Sequence, residues 1–155
     1  MQDISFRQAR FSDLAAIVAL LAADELGKDR ETVSASVDDC YISAFQAIEA
    51  DTNQELVVVV QGNDVVGTLQ LSYLPGLARR GSWRGQIEAV RISETLRGAG
   101  LGQRMIEWAI DRCKARGCTL VQLTSDKKRA DAHRFYERLG FVASHEGYKL
   151  TLANT

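Results

Sequence analysis

The spacing of apolar residues along this chain changes several times, and each change marks an element. Residues Ile4 to Gln8 alternate apolar and polar, the period of a half-buried strand. After Ser12, a capping residue, Leu14, Ile17, Val18, Leu21 and Leu26 recur at helical spacing, which predicts a helix stopped by Gly27. Tyr41, Phe45 and Ile48 predict a second helix from about Val37 to Ala50. The stretch ELVVVVQGNDVVGTLQLSYL is two β-branched runs joined by the turn residues QGND, a hairpin signal, and its second strand ends near LPG at the single proline.

The second half alternates strand and helix. GSWRGQIEAVRIS reads as a strand leading directly into RGAGLG, residues 97–102. Leu101, Met105, Ala109 and Cys113 then line one side of a helix from Leu101 to Arg116, and Gln103, Glu107, Asp111 and Lys114 line the other, with Gly117 as its stop. TLVQLTS is another strand, DAHRFYERLG a short helix, and FVASHEGYKLTL a closing strand or hairpin. The predicted order is β-α-α-β-β-β-α-β-α-β(-β), without an internal repeat or linker. An early hairpin followed by strand-helix-strand crossovers predicts one α/β (α+β) domain over residues 1–155, a mixed sheet of six to seven strands with about four helices on its faces.

Composition narrows the function classes. With 155 residues, 46% of them hydrophobic, and a net charge of -1, the chain can bury a sizeable core with a cleft cut into it. Its 19 basic residues are dispersed rather than clustered, so nucleic acid is not an expected partner. No leader-like apolar region opens the chain, and the longest apolar run, Leu56 to Val60, is too short to cross a bilayer, so a cytoplasmic protein with no membrane partner is expected. Cys40, Cys113 and Cys118 fit neither a metal nor a disulfide pattern and read as small buried hydrophobes. No metal site is expected.

The chemistry is concentrated in RGAGLG. A glycine-rich turn between a strand and a helix presents backbone N–H groups at a helix N-terminus, where the dipole favours anions, so it is built to cradle phosphate. Spacing sorts the candidates. A P-loop needs GxxxxGK[ST], and no Lys-Ser/Thr ending follows here. A dinucleotide fingerprint needs GxGxxG; counting from Gly98 the third glycine falls on Leu101, and from Gly100 it falls on Met105, so both registers fail.

Arg97, Gly100 and Gly102 instead match the Arg/Gln-x-x-Gly-x-Gly/Ala signature of the GNAT family of N-acetyltransferases, which the chain resembles. DAHRFYERLGF is similar to a second family segment at Ala132, Tyr136, Glu137, Gly140 and Phe141, and the element order agrees over nearly the whole chain. The resemblance implies that Arg97, Gly98, Ala99, Gly100, Leu101, Gly102 and Gln103 wrap the pyrophosphate of acetyl-CoA. It also implies that backbone groups near Val90 and Ile92 bind its pantetheine arm where the sheet splays. Many relatives carry an asparagine at the position of Arg129; here Lys127, Lys128 and Arg129 form a basic turn, which would meet the 3'-phosphate of coenzyme A or simply remain solvated.

The expected reaction is direct attack of an amine, from a small molecule or a peptide, on the thioester. A lysine-like amine with a pKa of about 10.4 is protonated at pH 7, and freeing it costs roughly 4 to 5 kcal/mol, so a positioned base is useful. In an unbroken strand Glu88 shares the parity of Val90 and Ile92, which places a carboxylate on an apolar face next to the cofactor loop and makes it the candidate base. A β-bulge would change that facing. The resemblance places Tyr136 beside the thioester sulfur as candidate acid, while its helical face, shared with Phe135 and Leu139, also suits a core tyrosine.

The acceptor is less legible. DELGKDRE offers Asp24, Glu25, Asp29 and Glu31 to a cationic amine, whereas LPGLARRGSWRG offers Arg79, Arg80, Trp83 and Arg84 to an anionic or aromatic one. His145 is a candidate second base, and His133 falls on the polar side of its helix. A homodimer is a family-level expectation. The alternative to an enzyme is a non-catalytic acyl-CoA-binding module.

Overall fold

The computed structural model describes residues 3–153, and the chain divides into two compact units, residues 1–122 and 123–155. A five-stranded sheet belongs to the first unit, in the order β1 (Ile4–Gln8), β2 (Gln54–Gln61), β3 (Asp64–Pro75), β4 (Trp83–Ile92), β5 (Cys118–Leu123). The first four strands pair antiparallel. Ser82 bonds Thr119, and Gln122 Nε2 donates to Gln86 Oε1 at 2.9 Å, so β5 advances in the same sense as β4 and the sheet is mixed.

Helices α1 (Leu14–Ala22), α2 (Asp39–Ala50), the single turn α3 (Ala78–Gly81) and α4 (Leu101–Ala115) complete the first unit. The two sheet faces are filled differently. Facing α1 and α2, Val58 and Val60 join Ala9, Leu14, Ile17 and Phe45 in one buried cluster, with Leu56 packed against it. Facing α4, Phe6 stacks on Trp108 with ring centroids 5.3 Å apart, and Met105, Ile106, Ala109 and Cys113 are wholly buried. A Cβ on Gly67 would lie 3.2 Å from Met105 Sδ, and one on Gly85 would collide with Cys113 Sγ, so both glycines let α4 lie close on the strands.

Three expectations need correction. The first helix stops at Ala22 rather than near Gly27, and tight turns follow, with Gly27 N–H donating to Asp24 O at 2.9 Å. Leu26 is the lone apolar residue in the polar run after Ala23, too little to hold another helical turn on the sheet. The sheet has five strands rather than six or seven, because no residue from 141 to 153 pairs as a strand. Tyr148, Leu150 and Leu152 do alternate, but they are 91%, 87% and 79% exposed, and alternation alone makes no ladder. Among the cysteines only Cys113 is buried; Cys40 is exposed and Cys118 intermediate.

The second unit contains α5 (Ala130–Arg138). Its end explains the YERLGF segment locally. Gly140, at φ 94°, donates its N–H to Glu137 O at 3.0 Å, and Phe141 N–H reaches back to Tyr136 O at 3.1 Å, the paired bonds of a Schellman cap. Phe141 then packs edge-on against the Tyr136 ring at 5.8 Å, the hydrophobic contact that accompanies such a cap. No helix among the described residues is long and apolar enough to cross a membrane.

Candidate active site

The glycine loop lies where the alternation predicts, between β4 and α4. A 3-10 turn at Glu94–Leu96 leads to Arg97, which is extended, and Gly100 is the residue before the first turn of α4. Gly98 and Gly100 adopt φ of 80° and 82°, the left-handed region that side chains resist. A Cβ on either would meet nothing within 4 Å, so these glycines serve a backbone conformation, and the exposed loop keeps its main chain open to a ligand. Behind it stand the first N–H groups of a 15-residue helix, which lack helical acceptors. The loop and helix start are suited to a phosphate-bearing ligand.

The strand feeding this loop is broken. Gln70 of β3 lies opposite Glu88 and Thr68 opposite Arg91, so Ala89 and Val90 together face Leu69 alone, and Ala89 takes a φ of 52°. This is a β-bulge, and its extra residue resets the alternation. Glu88 therefore shares a face with Arg91 and not with Ile92, which pairs Gly67 towards α4. The expectation of a buried Glu88 on an apolar face is overturned: it is exposed, beside the α1/α2 side of the sheet.

The bulge also bears on the pantetheine expectation. At Val90 the carbonyl accepts from Nη1 of Arg91 at 2.9 Å, while Ile92 stays in register with Gly67 on its β3 side. With Gln122 abreast of Gln86, β5 ends near the level of Ile87, before β4 reaches the bulge.

Around Glu88 the strands carry a polar row absent from the expected site. Gln86 Nε2 donates to Glu88, Gln122 donates to Gln86, and Gln70 and Ser72 donate to Gln54 Oε1 at 3.1 and 2.9 Å. Alternation places a glutamine in each of these four strands, but which ones meet is decided by register. A cleft of about 190 Å³ lined by Phe6, Gln8, Glu55, Trp108 and Arg112 opens on the α4 face and is separate from this row.

The two charge clusters that point to opposite acceptors differ once folded. Asp24 faces Arg91 at 3.4 Å, Glu25 pairs with Lys28 at 2.8 Å, and Glu31 accepts from the Tyr41 hydroxyl at 2.7 Å. No described residue pairs with Arg79, Arg80 or Arg84, all exposed. Arg79 and Arg80 moreover hold φ of 54° and 63°, two consecutive left-handed side-chain-bearing residues, a local strain of the kind that collects at ligand sites.

In the second unit Tyr136 is half-buried, held edge-on between Phe135 and Phe141. Arg129 immediately precedes α5, its N–H donating to Asp126 O at 2.9 Å. His133 is tied to that same Asp126 carbonyl at 2.8 Å, and the His145 ring bonds Ser144 Oγ at 2.7 Å.

A model of the acetyltransferase (GNAT) family matches residues 19–141. An aminoalkylphosphonate N-acetyltransferase from Salmonella typhimurium is 30% identical over 145 residues, which is 94% of this chain and 89% of that protein. A glucosamine 6-phosphate N-acetyltransferase from Trypanosoma brucei brucei is 36% identical over 88 residues, 57% of this chain and 58% of that protein. Among solved structures, a Bacillus halodurans protein described as a transcriptional regulator is 47% identical, with a TM-score of 0.94 over 97% of this chain and all of the other.

Proposed function

Since the chain belongs to the GNAT family of acetyltransferases and is an N-acetyltransferase, we propose that it transfers acetyl from acetyl-CoA to a small amine that also carries an anionic group. The observation behind the acceptor is the contrast in charge pairing. Three of the four carboxylates of the first connection, Asp24, Glu25 and Glu31, already have partners and only Asp29 does not, whereas none of Arg79, Arg80 and Arg84 has one among the described residues. Two of three curated relatives, by their descriptions, act on amines bearing phosphonate or phosphate; the third, matched over 38% of this chain, is described as an N-alpha-acetyltransferase. A DNA-binding role would call for a continuous basic face, and this chain disperses 19 basic residues among 20 acidic ones.

For the donor, the open left-handed backbone at Gly98 and Gly100 and the start of α4 fit a pyrophosphate, with Arg97, Ala99, Leu101, Gly102 and Gln103 completing the loop. Backbone at Val90 and Ile92 would hold the pantetheine arm, and Arg129 the 3'-phosphate. When bound, acetyl-CoA supplies an activated acyl carbon. Glu88 takes a proton from the acceptor ammonium, directly or through water, so that the nitrogen lone pair forms the C–N bond as the C–S bond breaks. Tyr136 donates its hydroxyl proton to the departing thiolate and recovers one, through solvent, from the second proton that the nitrogen sheds as the amide forms, while Glu88 returns its proton to solvent. The family match passes unbroken through residue 122, which supports one N-acetyltransferase domain formed by both units.

Coenzyme A release, followed with aminoalkylphosphonates and glucosamine 6-phosphate beside their uncharged counterparts, tests this reading. Turnover is expected with the anionic amines and should be at least tenfold weaker with ethanolamine or glucosamine; equal rates would remove the anion from the proposal. A thermal-shift series isolates the donor: acetyl-CoA at about 100 times its dissociation constant adds about 2.7 kcal/mol, and ATP or NAD should add nothing comparable.

A further inference from the structure

The polar row has a direction. Gln122 Nε2 donates to Gln86 Oε1 at 2.9 Å, and this fixes how the Gln86 amide is turned, because its oxygen is committed to β5 and its nitrogen is left to face along β4. That nitrogen donates to Oε1 of Glu88. A carboxylate can only accept, so the reverse setting of Gln86 would put oxygen against oxygen at one end and NH2 against NH2 at the other. The sense of the whole chain is thereby determined from Gln122 to Glu88.

The surroundings leave this amide as the identified support for Glu88. Gln70, directly across on β3, turns its amide to Gln54, 3.1 Å away, and Ser72 donates to the same oxygen. Of the charged groups, Arg84 and Arg91 share the Glu88 face of β4, and Arg91 is matched by Asp24 from the end of α1 at 3.4 Å. Neither Gln86 nor Gln122 contributes to the apolar core.

Resting on the reading of Glu88 as the base, we propose that Gln86 and Gln122 are positioning residues: a two-amide relay that anchors one oxygen of the Glu88 carboxylate and leaves the other oxygen for the acceptor proton. Without it, the carboxylate of an exposed side chain samples several rotamers, and fewer of them present an oxygen to the acceptor.

The test is the split between kcat and KM, measured on the intact chain with an aminoalkylphosphonate as acceptor for Gln86→Leu, Gln122→Leu, the double variant and Glu88→Gln. Gln86→Leu should lower kcat about tenfold, with the KM for acetyl-CoA and the thermal midpoint little changed. Gln122→Leu should lower kcat about threefold, and should add nothing in the Gln86→Leu background, because it acts through that amide. An unchanged kcat in both single variants, with Glu88→Gln still strongly impaired, overturns the relay alone. Full activity in Glu88→Gln overturns the base reading and the relay together.

Discussion

The two faces of the same strands are built on opposite principles. Towards α4, β4 presents Gly85 and Ile87, and β3 presents Gly67, Leu69, Leu71 and Tyr73, nearly all without solvent exposure. One residue along each strand, on the other face, stand Gln86, Glu88, Gln70 and Ser72: Gln86 is hydrogen-bonded to Glu88, and Gln70 and Ser72 both donate to Gln54. Where β3 and β4 meet α4, the dry face has no room and little chemistry. The polar face is partly open, and it shares β4 with the bulge and the glycine loop. Burial thus stabilises one side of the sheet, while the side that α1 and α2 leave uncovered is free to carry a reaction.

The largest effect should come from breaking the dry face. Gly85→Val would drive its side chain into Cys113, whose Cβ lies only 3.0 Å from where the new Cβ would stand. Since α4 must move or Cys113 must leave its rotamer, a loss of about 3 kcal/mol is expected, read as a lower urea midpoint at unchanged slope. A double variant with Cys113→Ala should recover part of that loss, which shows that the contact and not strand propensity is responsible.

Next in size is removal of the one carboxylate in the polar row. Glu88→Gln keeps shape and hydrogen bonding but cannot take a proton, and kcat/KM is expected to fall about 100-fold, towards the lower end of what a general base supplies. Its stability should change by less than about 0.5 kcal/mol, because the residue is exposed. Equal rates for Glu88→Gln and the parent chain would assign proton removal to another group.

Most of the first unit was legible because period and turn chemistry are local. β1, the QGND hairpin, the strand into RGAGLG and the α4 stripe all follow from alternation and from glycines that need positive φ. The facing of Glu88 was not legible, since one inserted residue at Ala89 and Val90 inverts every later side chain of the strand, and a bulge is stabilised by its partner rather than by its own sequence. Nor was the glutamine relay, which depends on Gln86 and Gln122 being 36 residues apart in the chain and abreast in the sheet. The paired state of Asp24, Glu25 and Glu31 likewise required the fold, because Asp24 finds its arginine on β4.

The faces should also separate under alkali. Burial pushes the Cys113 thiol up to about 11 and the Tyr73 phenol up to about 12, the latter beneath the Arg116 guanidinium at 4.1 Å. Both groups are neutral when protonated and have raised values in the folded state. Their stabilisation is therefore complete below the unfolded values, about 8.5 for the thiol and 10 for the phenol, and disappears as pH rises to about 11 and then about 12. At about 1.36 kcal/mol per unit each step is worth up to roughly 3 kcal/mol, so urea midpoints should fall from about pH 9 upward, and Cys113→Ala should remove the first part of that fall. Glu88→Gln should leave it in place.

The smallest effect concerns the end of the polar face nearest the arginine turn. Arg84 precedes Gln86 and Glu88 by alternation on β4, so an acceptor lying along the strand with its amine at Glu88 would extend its other end towards Arg84. Four residues of strand span about 13 Å, and a long guanidinium shortens the gap to the length of a small phosphorylated or phosphonate-bearing amine. Arg84→Gln is then expected to raise the acceptor KM about tenfold, leave kcat within about twofold, and leave the KM for acetyl-CoA alone, since an exposed charge pair contributes modestly. Arg79→Gln separates two geometries. If the anion is held by the left-handed turn, that variant carries the larger KM effect; if it is held along β4, Arg84→Gln does, and the acceptor follows the polar row rather than the loop.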